Sequence, residues 1–395
     1  MSFENGWFYE KNRQWPGQCL GLEVKQILRQ QKTKFQDLVV FESTSFGKVL
    51  VLDGVVQLTE KDECSYQEML AHLPMCSSKN AAENVLIVGG GDGGVLREVC
   101  KHAFAATGSG TNSSTSTLKK VVMCEIDAGV LDAAEEFFPE VSIWLKRARR
   151  VDGKGNVLRE KPETSAVGGN AGEAHKDEQD SSGLEITIVV DDAIQYVKDQ
   201  CQSGSFDVVI IDSSDPDGPA EGLFQPAFYE QVARILKPES GVLAAQGECL
   251  WIHQDILKQV YFDCGKFFKS KAYASVQVPT YPCGQISLFL AANFQTELKE
   301  PRRSLMNNTV TEEKAGAVEE PAMKKQKTEQ DGSCKADTKE DSSTFRYYSP
   351  EMHRAAFALP QFVKDLFREE NKPAAKDQEA SPASSIATAS SSVEA

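Results

Sequence analysis

With 395 residues, 41% of them apolar, the chain can bury at least one large core and has room for two domains. A net charge of -15 and a pI near 5.0 exclude the clustered positive charge that a nucleic-acid or anionic-membrane surface needs, and suit a cationic ligand. Residues 1–17 hold no apolar signal core, and no later apolar run approaches the roughly 20 residues of a membrane span. The expectation is a soluble, cytoplasmic protein with no membrane or nucleic-acid partner. Ten cysteines without a C-x-x-C pair, and five scattered histidines (His72, His102, His175, His253 and His353) without H-E-x-x-H, read as reduced, buried thiols and no metal site.

In chain order, apolar alternation predicts strands at 37–41, 48–52 and 55–59, with Asp53-Gly54 as a two-residue hairpin turn. These make a small antiparallel β domain. A helix is predicted over 62–73, with Tyr66, Met69, Leu70 and Leu73 at helical spacing and Pro74 closing it. Residues 84–98 then read as strand, glycine turn and helix. Gly89, Gly91 and Gly94 satisfy G-x-G-x-x-G, but Asp92 stands where a phosphate-binding turn would offer bare N–H groups, which points to a cation.

Strands at 120–124, 185–190, 207–211 and 242–246 alternate with helices starting near Ala128, Asp192, Pro226 and Ile252, the pattern of a parallel sheet wrapped by helices. Strands at 272–278 and 286–291, joined through Pro279-Thr280-Tyr281-Pro282-Cys283-Gly284, finish the sheet antiparallel. The fold class is α/β: a Rossmann-like, seven-stranded class I methyltransferase-type domain preceded by the β domain. Polar stretches at 105–117, 146–183 and 296–341 read as mobile insertions. The expected divisions are 1–80, 81–294, a charged insertion at 295–342, a segment at 343–370 packing back on the catalytic domain, and a disordered tail at 371–395. Lys324-Lys325-Gln326-Lys327 reads either as a nuclear signal or as a solvated cluster.

In open α/β sheets ligands sit beyond the carboxyl ends of the strands. There the residues are nearly all acidic: Asp92, then Glu125 and Asp127, then Asp191 and Asp192, then Asp212 and Asp215. Helix capping accounts for one or two of them. Like charges converging on one crevice as a set imply a cationic ligand. Glu125 fits the acid that grips ribose hydroxyls, a role that NAD and adenosylmethionine sites share. Asp192 with the Ala193 backbone reads as a partner for an adenine edge or as a helix cap, and Asp212-Ser213-Ser214-Asp215-Pro216-Asp217-Gly218-Pro219 as a clamp for an amine or as turn composition.

Trp15-Pro16-Gly17, Phe35-Gln36-Asp37, Val49-Leu50-Val51-Leu52-Asp53-Gly54, Ser65-Tyr66-Gln67-Glu68, the Gly89 turn, Glu125-Ile126-Asp127, the Asp212 loop, Gln246-Gly247-Glu248 and Pro279-Thr280-Tyr281-Pro282 occur in the order found in spermidine synthases. Together they resemble that aminopropyltransferase family from residue 6 to about 293, and Tyr347-Tyr348 through Phe362 resumes the resemblance. It implies transfer of an aminopropyl group from decarboxylated S-adenosylmethionine to putrescine, giving spermidine and methylthioadenosine. The aminopropyl donor would be a co-substrate, with no tightly bound cofactor, and the chain a homodimer or homotetramer.

Carried over by residue, Gln36, Gln67, Glu125, Asp192 and Ala193 would hold the nucleoside and Asp92 would face the aminopropyl arm. Asp212 would be the base with Tyr66 beside it, and Trp15, Asp215, Gln246 and Tyr281 would shape the diamine site. Phe35, where tyrosine is common, and Asp217, Cys283 and Ser287 depart from the family pattern. The rival readings are a putrescine N-methyltransferase using intact S-adenosylmethionine, a spermine synthase, a catalytically silent partner protein and a dehydrogenase. Asp92 weighs against the first, because the intact cofactor brings its own carboxylate. The preference between putrescine and cadaverine is left open by the residues.

Overall fold

The computed structural model describes residues 2–103, 117–162, 183–216, 218–303 and 345–372. The central parts of all three insertions, the Lys324–Lys327 cluster, Asp217 and the tail beyond 372 lie outside the described residues.

The first six strands, β1 (Ser2–Glu4), β2 (Trp7–Glu10), β3 (Leu20–Lys32), β4 (Asp37–Ser43), β5 (Lys48–Leu52) and β6 (Val55–Thr59), form one antiparallel meander in sequence order. Asp53 and Gly54 both take positive φ, 48° and 86°, as a tight turn between β5 and β6 requires. Alternation decides which side chain goes where. Val39, Phe41, Val49 and Val51 pack with Phe8 and Leu22, while Leu38, Val40, Leu50 and Leu58 point to the other face and meet Val130, Ala133 and Phe138 of the second domain.

Helix α1 (Glu63–Ser77) leads out of the meander and is buried along its whole length. Pro74 does not close it. Proline removes one N–H but allows the helix to run on, and the N–H of Ser78 reaches back to the Pro74 carbonyl at 3.1 Å.

The second domain follows as β7 (Asn84–Gly89), α2 (Gly94–Lys101), β8 (Lys120–Glu125), α3 (Ala128–Phe137), β9 (Arg149–Asp152), β10 (Val157–Arg159), β11 (Glu185–Val190), α4 (Ala193–Asp199), β12 (Val208–Asp212), α5 (Pro226–Ile235), β13 (Val242–Gln246), α6 (Gln254–Gln259), β14 (Ser270–Gln277) and β15 (Gln285–Ala292). The sheet order is β10-β9-β11-β8-β7-β12-β13-β15-β14. All seven expected strands are present, and the last pair closes the sheet antiparallel. The insertion at 146–183 is not wholly unstructured, because β9 and β10 within it extend the sheet past β11. Val85 and Ile87 point to the layer holding α1 and α2, and Leu86 and Val88 to the layer holding α4 and α5. Among the described residues no helix is long and apolar enough to cross a membrane.

Residues 345–372 carry α7 (Pro350–Ala356) and α8 (Gln361–Leu366) against the sheet layers. The return is pinned at one point. The buried Glu68 carboxylate of α1 accepts the backbone N–H groups of Arg346, Tyr347 and Tyr348 at 2.9, 2.9 and 2.7 Å. Glu68→Ala would orphan three donors, and hydrogen bonds to a charged acceptor are worth about 1.5–3 kcal/mol each, so a loss on the order of 3 kcal/mol is expected. In hydrogen exchange the amides of 346–348 should lose protection while those of β7 keep it. Full retention at 346–348 would show that Glu68 does not hold the segment.

Candidate active site

Strands β8, β7 and β12 are neighbours in the sheet, so the residues at their carboxyl ends meet side by side. A cavity of about 490 Å³ opens there. Glu125 ends β8, Asp92 sits in the turn after β7, and Asp212 ends β12; all three line the cavity. The turn between β7 and α2 is forced close to β12. The Gly90 N–H donates to the Asp212 carbonyl at 2.9 Å, and a Cβ at Gly89, whose φ is +78°, would lie 2.2 Å from that oxygen. Only glycine fits there.

Each acid is oriented by a local donor. Asp92 Oδ1 accepts from the Gly94 N–H at 2.6 Å, at the start of α2, so the carboxylate is held by the helix terminus that would otherwise bind an anion. Glu125 Oε1 accepts from the Asp127 N–H at 2.8 Å. The Tyr66 hydroxyl donates to Asp212 Oδ1 at 2.7 Å, and the Tyr66 ring lies 5.6 Å from that of Tyr281. Tyr281 in turn donates to the Gln57 carbonyl at 3.0 Å, tying the β14–β15 loop to the first domain.

Trp15, Gln36, Asp192, Ala193, Asp215, Gln246 and Tyr281 also line the cavity, contributed by both domains. Some residues proposed from sequence are placed elsewhere or doubly used. Gln67 is not part of the lining; it lies behind Asp92, to which its Nε2 donates at 3.3 Å. Asp192 caps α4 through Ile194 N–H at 2.8 Å while still lining the cavity. Asp127 caps α3 and accepts from Thr33 Oγ1 at 2.7 Å and Gln36 Nε2 at 2.8 Å, so it fastens the two domains together. Asp191 turns its carboxylate toward Gly153 in the β9–β10 turn.

Glu248, the last residue of the Gln246-Gly247-Glu248 motif, and His253, which no motif marked, also belong to the lining. Glu248 takes a left-handed backbone conformation, φ 67°, and its Oε1 accepts from Gln246 Nε2 at 3.0 Å. His253 Nδ1 lies 2.8 Å from the other Glu248 oxygen, and its Nε2 lies 3.0 Å from the Gln14 carbonyl. Ser213 Oγ, Gln14 Oε1 and Gln285 Nε2, all in the lining, are buried with no hydrogen-bond partner in the protein, as ligand-directed groups would be.

The electrostatics follow from burial. It pushes Asp212 up to about 8, helped by the nearby Asp92 charge and opposed by the Tyr66 hydrogen bond. Burial lifts Glu125 to about 7 and Asp92 to about 6, the latter against the Gly94 N–H. Tyr66 and Tyr281 are driven well above the ordinary phenol value, first by burial and then by the Asp212 charge, and so stay protonated donors. Burial thus biases these acids toward protonation, and a cation placed among them favours the carboxylates. Among the described residues no cluster of three or more His, Cys, Asp or Glu side chains is arranged to hold a metal ion.

Known proteins carry the same arrangement of domains. The profile described as "Spermine/spermidine synthase domain" matches residues 63–154 and 174–300, and "Spermidine synthase tetramerisation domain" matches residues 6–60. The chain is 36% identical over 364 residues to spermidine synthase 2 of Arabidopsis thaliana, spanning 91% of this chain and 84% of that one. The chain belongs to the spermine/spermidine synthase family. Within this family, spermidine synthase 1 of Pisum sativum is 35% identical over 91% of this chain and 84% of its own. A crystal structure of a spermidine synthase in complex with the transition-state analogue AdoDATO superposes with a TM-score of 0.66 at 26% identity, over 93% of this chain and 96% of that one. The Thermotoga maritima spermidine synthase gives 0.65 at 26% identity, over 91% and 94%.

The raised pKa of Asp212 has a stability consequence. The folded pKa of Asp212, about 8, exceeds its ordinary value of 3.8, so its share of stability is full below about pH 4 and is lost as the pH rises through 8. Ligand-free Asp212→Asn should therefore melt higher than the unaltered protein at pH 8, and the gap should close toward pH 5. Scanning calorimetry at the two pH values checks this; a variant that melts lower at pH 8 would mean that Asp212 is not held at an electrostatic cost.

Proposed function

We propose that this chain is a spermidine synthase, a transferase that moves the aminopropyl group of decarboxylated S-adenosylmethionine to putrescine and releases methylthioadenosine. The observation that carries the reading is the row of buried carboxylates at the ends of three adjacent strands, Glu125, Asp92 and Asp212, in one cavity with a phenol donating to Asp212. Glu125 takes the ribose hydroxyls, Asp192 and Ala193 the adenine edge, and Gln36 closes the nucleoside end from the first domain. Asp92 takes the ammonium of the aminopropyl arm. Trp15, Asp215, Gln246 and Tyr281 shape the diamine channel, and Glu248, braced by His253, adds a second carboxylate at its far end.

Putrescine enters protonated, and freeing a lone pair on an amine of pKa near 10.4 at pH 7 costs roughly 4–5 kcal/mol. Tyr66 occupies Asp212 Oδ1, which leaves Oδ2 for the substrate nitrogen. With its pKa near 8, Asp212 is a far better proton acceptor than an ordinary aspartate. Tyr66, donating to Asp212 Oδ1 at 2.7 Å, orients the base. The freed nitrogen attacks the propyl carbon bonded to the sulfonium. A C–N bond forms, the C–S bond breaks, its electron pair stays on sulfur, and the amine proton goes to Asp212. Holding nitrogen, carbon and sulfur in line supplies a large part of the acceleration, on the order of 7–11 kcal/mol for well-oriented reactants.

The "tetramerisation" description of the matched N-terminal region supports a homo-oligomer, dimer or tetramer, built through the first domain. The nine described cysteines are all free thiols, which suits the reducing cytoplasm.

Incubation with putrescine and either decarboxylated or intact S-adenosylmethionine, read by mass spectrometry, should give spermidine and methylthioadenosine from the decarboxylated donor alone. S-adenosylhomocysteine with a methylated diamine would overturn the assignment in favour of methyl transfer. Asp212→Asn should lower kcat by about 10²- to 10⁴-fold, the usual worth of a positioned base, while leaving methylthioadenosine binding in place.

A further inference from the structure

Gln67 sits under Asp92, and its amide has a fixed direction. Its Nε2 donates to Asp92 Oδ2 at 3.3 Å, and its Oε1 accepts from Arg97 Nη2 at 3.2 Å. The two ends of an amide have nearly the same shape, so their partners decide which way it points. A guanidinium can only donate. Arg97 therefore compels Oε1 toward itself and Nε2 toward Asp92.

The side chain has little freedom to do otherwise, since a Cβ at Gly94 would fall 1.8 Å from Gln67 Cδ. Arg97 is itself locked. Its Nη2 also donates to Glu63 Oε2 of α1 at 2.7 Å, and its Nε donates to Glu98 Oε1 of α2 at 2.8 Å. Around this pair lie Lys101, 2.7 Å from Glu98 Oε2, and His72, 3.1 Å from the same oxygen and backed by His102. Arg346 of the return segment reaches Glu63 Oε1 at 3.4 Å.

We propose that Arg97 is a positioning residue for the aminopropyl-donor subsite: it fixes the Gln67 amide so that Asp92 presents an oriented carboxylate to the terminal ammonium of the donor. This role rests on the aminopropyl-transfer reading above. Arg97 does not line the cavity and touches no substrate. Its removal has two effects on Asp92. The amide becomes free to turn its carbonyl toward the carboxylate, acceptor against acceptor. Glu63 also loses its nearest cation behind Asp92, keeping only Arg346 at 3.4 Å, and the added net negative charge there favours the neutral acid. A neutral Asp92 holds no ammonium. Methylthioadenosine has the same nucleoside but no aminopropyl arm, so its affinity does not depend on this device.

Titration calorimetry of the full chain with decarboxylated S-adenosylmethionine and with methylthioadenosine separates the positioning role from a structural one. In Arg97→Gln the donor should bind about tenfold more weakly or worse, the usual result of losing one charge-assisted hydrogen bond, with methylthioadenosine within about twofold. In turnover the donor KM should rise by the same factor, while kcat and the putrescine KM stay near their starting values. Gln67→Leu, which leaves the Arg97 ion pairs intact, should give the same selective loss and serves if Arg97→Gln does not fold. Equal weakening of both nucleosides, or of neither, would overturn the proposal. Failure of the unaltered protein to bind the decarboxylated donor would instead overturn the aminopropyl-transfer reading.

Discussion

Three carboxylates placed side by side on neighbouring strand ends, in a cavity whose described lining holds no lysine or arginine, are the constraint on which the rest of the structure depends. Parallel strands lie about 4.8 Å apart, so Glu125, Asp92 and Asp212 are brought within each other's field by backbone pairing alone. Nothing in the sheet could relieve that repulsion except protonation or a bound cation. The surrounding residues make it tolerable. Gly89 and Gly90 let the turn approach β12, the Gly94 N–H and Gln67 amide hold Asp92, and Tyr66 donates to Asp212. A chain with net charge -15 adds a long-range field that draws polyamine-like cations to the crevice.

Helix α1 sets these donors in place. It is buried on every side, and successive residues are used in opposite directions. Tyr66 and Gln67 face the site, Glu68 seizes the return segment, and Glu63 meets both Arg97 and Arg346. Just before the helix, Asp62 accepts from the backbone and hydroxyl of Thr280 at 3.0 and 2.8 Å, next to Tyr281. Tyr66 is thus fixed by contacts to chain segments more than 200 residues away. A helix held by so many polar contacts gives up freedom of movement and, in exchange, keeps Tyr66 at hydrogen-bonding distance from Asp212 without help from a substrate.

The parts of the fold legible in the sequence were those with local causes. Alternating apolar runs gave the strands, Asp53-Gly54 gave a turn that demands positive φ, and the strand-end acids marked the crevice because their offset from each apolar run is short. What stayed hidden had distant causes. Strand β3 alternates poorly, since most of its side chains face solvent or half-solvent on both sides. Glu63 and Glu68 look like the polar face of an amphipathic helix, and only a segment arriving at 345–348 reveals them as buried. Pro74 reads as a stop until the tertiary contacts that carry the helix past it are seen. The brace of Glu248 by His253 joins a residue of the Gln246-Gly247-Glu248 motif to one that no motif marks. Gln67 could be named as part of the site from its neighbours in sequence, but the direction of its amide depends on Arg97, a residue 30 positions on.

The same charge balance that makes the empty crevice costly gives the proposed reaction its direction. Decarboxylated S-adenosylmethionine carries two positive charges, on sulfur and on the terminal nitrogen, which the acids lining the cavity would attract. Intact S-adenosylmethionine would bring a further negative charge to a site already crowded with them, a penalty of about 4 kcal/mol for charges some 4 Å apart at an effective dielectric of 20. Transfer carries the aminopropyl ammonium into the polyamine product, so Asp92 would keep that partner until the product leaves. Methylthioadenosine has no charge, and once the polyamine has gone it offers Asp92 and its neighbours no cation. The acids behind the glycine turn then favour protonation or a fresh donor over the spent nucleoside, and the interaction that selects the co-substrate also works to expel its remnant.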